Sequence, residues 1–159
     1  MSDSLRTYLQ DHLAGAADAV SLTKHIRDQH SGTALGQFAS GLLAEIESDR
    51  SVLQKLAEDV GVGPSEWKEA TAWLGEKATR LKFSFVTQNK FGTFEALELL
   101  ELGVHGKWAL WRALAVLAPS EPRLKGVDFD VLMVRAAHQR DAIESQRLEL
   151  ARTSLQTAA

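Results

Sequence analysis

The sequence predicts an all-α protein built from four long helices, and three observations carry that prediction. Apolar residues recur at steps of three and four along four separate stretches, the spacing of one helix face. The breaks between those stretches hold the Gly, Pro, Ser, Thr and Asp residues that end and begin helices. The one run that alternates like a strand, KFSFVTQNKFG at 82–92, has no evident partner strand and is read as an ordered loop.

In the first helix, about 4–29, Ser2, Asp3 and Ser4 offer N-caps, and Leu5, Leu9, His12, Ala16, Ala19, Thr23 and Ile26 form the inward stripe. Ser31-Gly32-Thr33 is a short break, with Gly32 suited to end a helix and Thr33 to cap the next. The second helix, about 34–60, carries Ala39, Leu42, Ile46, Asp49, Leu53, Leu56 and Val60 inward. Both helices are roughly 40 Å long, and so short a link makes them an antiparallel pair. Gly61 and Pro64 punctuate the start of a shorter helix, about 64–81. A third long helix, about 93–118, is expected to begin at Thr93 and to bury Phe94, Leu97, Glu101, Val104, Trp108, Trp111 and Ala115. The fourth, about 128–155, turns Phe129, Leu132, Ala136, Gln139, Ile143, Gln146 and Leu150 inward. A link of about 30 residues between the second and third helices is long enough to return along the bundle and make them parallel.

A chain of 159 residues is read as a single domain, 1–159, burying about 70% of its unfolded surface. With no cysteine it forms no disulfide, thiolate nucleophile or Cys-based metal site. The polar start MSDSLRTYLQ predicts no signal peptide, and no run approaches the roughly 18 apolar residues of a membrane span. A net charge of −3 argues against a nucleic-acid partner. The expectation is a soluble cytoplasmic protein with neither a membrane nor a nucleic-acid partner.

Several stretches carry a resemblance: YLQDHLAGA (8–16), EIESDR (45–50), EKATRLK (76–82), ELGVHGKWALWRAL (101–114) and RAAHQRDAIESQR (135–147). Together with the helix order, the chain resembles the ferritin-like superfamily, and within it a bacterial group of ferritin-like bundles of unassigned function. The resemblance implies a ferritin-like four-helix bundle with one long crossover containing a short extra helix. It also implies a homodimer. Metal-carrying members of the superfamily use a Glu from each of two helices and a Glu-x-x-His from each of the other two. This chain has no Glu-x-x-His; it offers Glu45-x-x-Ser48 and Glu144-x-x-Arg147 instead. An arginine brings a fixed positive charge and no lone pair, so the di-iron activity does not carry over.

The polar residues on inward stripes are His12, Asp49, Glu101 and Gln139, with Arg147 in the fourth helix and His105 one turn beyond Glu101. Three readings fit them. His12, Asp49, Glu101 and His105 are a chemically adequate ligand set for iron, manganese or zinc. Alternatively they are a charged internal network, with Arg50, Arg140 or Arg147 neutralising the carboxylates, because a buried unpaired carboxylate is costly. Or the stripes are displaced by one position and these groups are solvated. Glu45 and Glu144 are read as surface residues, and Lys107, like Lys77, Arg80, Lys82 and Lys90, as part of a solvated face. The tryptophans at 67, 73, 108 and 111 are expected to pack the crossover helix on the bundle.

Gly103 and Gly106 interrupt the third helix, where glycine is unfavourable. Either a neighbouring helix approaches closely there, or a gap admits a small ligand of unidentified chemistry. No nucleophile elbow such as Gly-x-Ser-x-Gly is present. The sequence therefore predicts a non-catalytic structural or interaction domain with a charged core in place of the di-iron site, and no cofactor. A metal-binding oxidoreductase with an atypical carboxylate/histidine ligand set is the alternative.

Overall fold

A computed structural model describes residues 3–69, 72 and 89–156. Among them are four long helices: α1 (Ser4–Gln29), α2 (Ala34–Asp59), α3 (Lys90–Leu117) and α4 (Phe129–Ser154). Residues 64–69 are also helical, and a 3-10 turn spans Pro122–Leu124. No strand occurs among the described residues. Residues 70, 71 and 73–81 of the expected short helix, among them Trp73, Lys77 and Arg80, and the segment 82–88 with Lys82 lie outside them.

Local chemistry sets the boundaries. Asp3 caps α1 by accepting from the Leu5 N–H, Thr33 caps α2 from Gly36, and Asp128 caps α4 from Val131. The link between α1 and α2 is so tight that a Cβ on Gly36 would lie 2.1 Å from the His30 carbonyl oxygen. After α2, Gly61 takes φ +88°, and the Val62 N–H reaches back to the Ala57 carbonyl, a six-residue closure that seats Val62 in the core. The third long helix begins earlier than the sequence predicts. Asn89, not Thr93, is its cap, accepting from the Gly92 N–H at 2.7 Å. Residues 90–92 are therefore helical rather than loop. Thr93 lies buried in the first turn, where its hydroxyl meets His30 Nε2 at 3.0 Å.

Helix α1 packs on α2, α3 on α4, α1 on α3, and α2 on α4, so the four form a helical bundle. Three polar contacts fix the directions. Arg6 at the start of α1 pairs with Glu66, just past the end of α2. His30, at the end of α1, meets Thr93 at the start of α3. Arg123, just past α3, reaches Asp3 at 2.9 Å. Helices α2 and α3 thus both run opposite to α1, and parallel to each other.

The core is continuous and drawn from all four helices, with Leu9, Leu13 and Ile26, then Leu42, Ile46, Leu53 and Leu56, then Leu97, Leu100, Trp111 and Leu114, and finally Leu132, Ala136 and Ile143. Trp111 is the largest fully buried side chain, so this tryptophan fills the bundle interior. Among the described residues, no helix is long and apolar enough to cross a membrane.

Candidate functional site

Asp49 sits on the buried stripe of α2, between Ile46 and Leu53, and is 1% exposed. Its compensation comes from two residues that the sequence reading left outside the core. Lys107 of α3 donates to Asp49 Oδ2 at 2.5 Å, and Arg135 of α4 places Nη2 against Oδ1 as an ion pair. Neither Oδ1 nor Arg135 Nε makes an aligned hydrogen bond among the described residues, so Arg135 acts there mainly through charge. Of the arginines expected as partners, Arg147 does pair with Glu101, at 3.3 Å, but none of the three reaches Asp49. Arg140 pairs with Asp141, Arg147 with Glu144, and Arg50 has its guanidinium 5.8 Å from the Trp67 ring centroid.

Gln139 closes the arrangement. Its Nε2 donates to Asp49 Oδ2 at 3.2 Å and to Glu45 Oε2 at 3.0 Å, while its Oε1 accepts from Lys107. This orientation of the amide is dictated by charge, since the opposite one would turn the amide oxygen towards two carboxylates. Two carboxylates and two cations meet around one amide, and the formal charge cancels. Burial pushes the Lys107 ammonium below the ordinary lysine range, and Asp49 pulls it back up.

Lys107 was hidden by a choice between neighbouring stripes. The stripe expected for the third helix runs through Phe94, Leu97, Glu101, Val104, Trp108, Trp111 and Ala115, of which Phe94, Leu97, Val104 and Trp111 are buried. The buried one runs through Leu100, Val104, Lys107, Trp111 and Leu114, at steps of four, three, four and three. The fully apolar residues at 100 and 114 were the signal that pointed to it. Glu45, read as a surface residue, is exposed as expected and still reaches Gln139.

Glu101 and Arg147 form a separate, half-buried cluster. Arg147 Nε lies 2.6 Å from Glu144 and 3.3 Å from Glu101, its Nη1 lies 3.0 Å from Glu98, and its guanidinium stands over the Phe94 ring. Desolvation raises the Glu101 pKa, and the adjacent Glu144 adds to that rise. Arg147 holds Glu144 low. The two carboxyls are thus driven apart, Glu101 being the one that retains a proton more readily.

The metal reading requires His12, Asp49, Glu101 and His105 to converge, and they are found in different places. His105 is exposed and stacks on Trp108 with centroids 5.7 Å apart. Glu101 belongs to the Arg147 cluster, and Asp49 has both oxygens turned to cations. Among the described residues, no group of three or more His, Asp or Glu side chains is placed to hold a metal ion. This donor set does not fit a metal centre.

Beside the Asp49 group lies a cavity of about 250 Å³ between α1, α2 and α3. His12, Gly103 and Gly106 line it, together with Asp49, Lys107 and Trp111. Burial keeps the His12 imidazole below its ordinary pKa, against a smaller upward pull from Asp11. A Cβ added at Gly103 or Gly106 would meet no atom within 4 Å, so close helix approach does not explain these glycines.

The fold and site define a helical bundle with a charge-neutral polar centre and an adjoining cavity. No protein-family model matches the chain, and neither a curated protein nor a solved structure matches it.

Proposed function

We propose that this chain is a ferritin-like bundle of the one-crossover kind, whose metal centre is replaced by the ion-paired group at Asp49, and that it serves as a non-catalytic structural or interaction domain. The observation that carries this reading is the Lys107 ammonium on Asp49 Oδ2 at 2.5 Å. An ammonium in that place supplies the positive charge that a carboxylate in a bundle core demands, without the open coordination position that metal chemistry uses. The parallel course of α2 and α3 supports the one-crossover topology. The absence of Glu-x-x-His from the sequence supports the loss of di-iron chemistry.

An interaction role has a surface available to it. Leu102 and Val116 of α3 and Val131 and Val134 of α4 are 56–80% exposed, an outward apolar set that a second copy or another protein would cover. A cytoplasmic location fits this reading.

The test is metal analysis of the full chain produced with iron, manganese and zinc supplementation and purified without chelator, in parallel with Asp49→Ala. The expected result is less than stoichiometric metal in both. Stoichiometric metal in the wild type that disappears in Asp49→Ala overturns the proposal and favours an atypical metal site.

A further inference from the structure

We propose that the outward face of α3 is the contact between two copies of this chain, with the two α3 helices packed antiparallel about a two-fold axis. This names a partner for the interaction role proposed above and rests on that part of the reading; it does not depend on the Asp49 group.

Spacing defines the face. Phe91, Glu98, His105 and Arg112 recur every seven residues along α3. Glu95, Leu102, Ala109 and Val116 repeat the same interval four residues further on. Together they form a stripe at alternating steps of four and three, the seam of a coiled coil. Here the seam points away from the core: Phe91, Leu102 and Val116 are 45%, 65% and 80% exposed. The other sides of α3 pack on α1 and α4, and α3 is the most apolar of the four helices. Large apolar side chains held in water at this interval mark a helix that buries the stripe against another helix.

Charge selects the occupant and its direction. Glu95 and Glu98 lie in the first half of the stripe, and Arg112 lies in the second. A parallel copy would set glutamate against glutamate and arginine against arginine, which costs affinity. An antiparallel copy sets Arg112 against Glu95 of the second copy, with Glu98 of that copy one layer away. At the same register Phe91 faces Val116, Leu102 faces His105, and Glu98 faces the small Ala109. Each contact occurs twice, as an isologous interface requires, and the axis lies level with Gly103 and Val104. The stripe is complementary to itself.

The charged groups are free to make these contacts. Arg112 is exposed and rests on the Trp108 ring rather than on a carboxylate. Glu98 meets Arg147 with one oxygen and keeps 53% of its side chain in water. A single helix pair falls at the small end of protein interfaces, so the expected dimer is weak, with Kd roughly 10 µM.

The experiment is sedimentation equilibrium of the full chain over a concentration series that brackets roughly 10 µM. The wild type should pass from monomer to dimer across it. Arg112→Glu and Glu95→Arg each set like charges face to face, and each should weaken the dimer roughly tenfold or more while circular dichroism shows unchanged helix content. An equimolar mixture of the two variants should dimerise again, because each copy supplies the charge that the other lacks. A wild-type chain that stays monomeric across the series overturns the dimer; if that chain is also free of metal, the Asp49 reading stands. A wild-type dimer that neither variant weakens, or a mixture of the variants that stays monomeric, overturns the antiparallel α3 contact.

Discussion

Lys107 Nζ lies 2.5 Å from Asp49 Oδ2, joining the middle of α3 to the middle of α2 across the bundle interior. The two side chains are 16% and 1% exposed, so water screens little of their interaction. Desolvation works against both charges, and the geometry offsets it. The ammonium also donates to Gln139, the same amide holds both Asp49 and Glu45, and Arg135 adds a second positive charge. A network of this kind favours one register between hairpins, because a slip of α3 along α2 would part Lys107 from Asp49.

The glycines should respond with opposite signs. Gly106→Ala places a methyl group in open space and removes a poor helix former, so chemical denaturation should show a gain of roughly 0.5–1 kcal/mol. Gly36→Ala instead drives a Cβ to 2.1 Å from the His30 carbonyl oxygen and should cost roughly 1–3 kcal/mol. If Gly106→Ala is destabilising, the space beside it is not open.

Arg123 ties the start of α1 to the link before α4, and it should be visible in acid. Its guanidinium bonds Glu121 and Asp3, and Glu121 is pulled down from 4.5 to about 2. A carboxylate lowered in the folded state binds fewer protons there than in the unfolded chain. Its contribution is therefore complete above pH 4.5 and is lost as the pH falls towards 2. An NMR titration should place the Glu121 midpoint near 2, and Arg123→Ala should return it towards 4.5. A wild-type midpoint near 4.5 would mean that the clamp is open in solution.

How much was legible in the sequence varied from helix to helix. The stripe of α2 could be read directly, because Ala39, Leu42, Ile46, Asp49, Leu53, Leu56 and Val60 are all buried and largely polar residues fill the other faces. Helix α3 is apolar on too many sides for periodicity to choose a face. The register through Glu101 and Trp108 therefore competed with the one through Leu100 and Lys107, which packing selects. A lysine is read as solvated by default, since only the position of a facing carboxylate justifies burying it. That position depends on how the two hairpins are set against each other, which local patterns do not encode. The same limit applied to Arg135. Demand for a positive partner at Asp49 was readable; the identity of that partner was not. At the start of α3, Asn89 and Thr93 have equivalent capping chemistry, and the strand-like alternation before Thr93 masked the earlier cap.

The most direct test of the central claim is a double-mutant cycle on Asp49 and Lys107, followed by denaturant unfolding at neutral pH. Asp49→Asn and Lys107→Met should each cost roughly 3 kcal/mol, because the first leaves Lys107 without its carboxylate and the second leaves the buried Asp49 with Arg135 alone. The double variant should cost less than the sum of the two by roughly 2 kcal/mol, the coupling that contact between the side chains requires. Single effects that add to within about 0.5 kcal/mol would contradict the account, because they would mean that Lys107 does not neutralise Asp49 in the core.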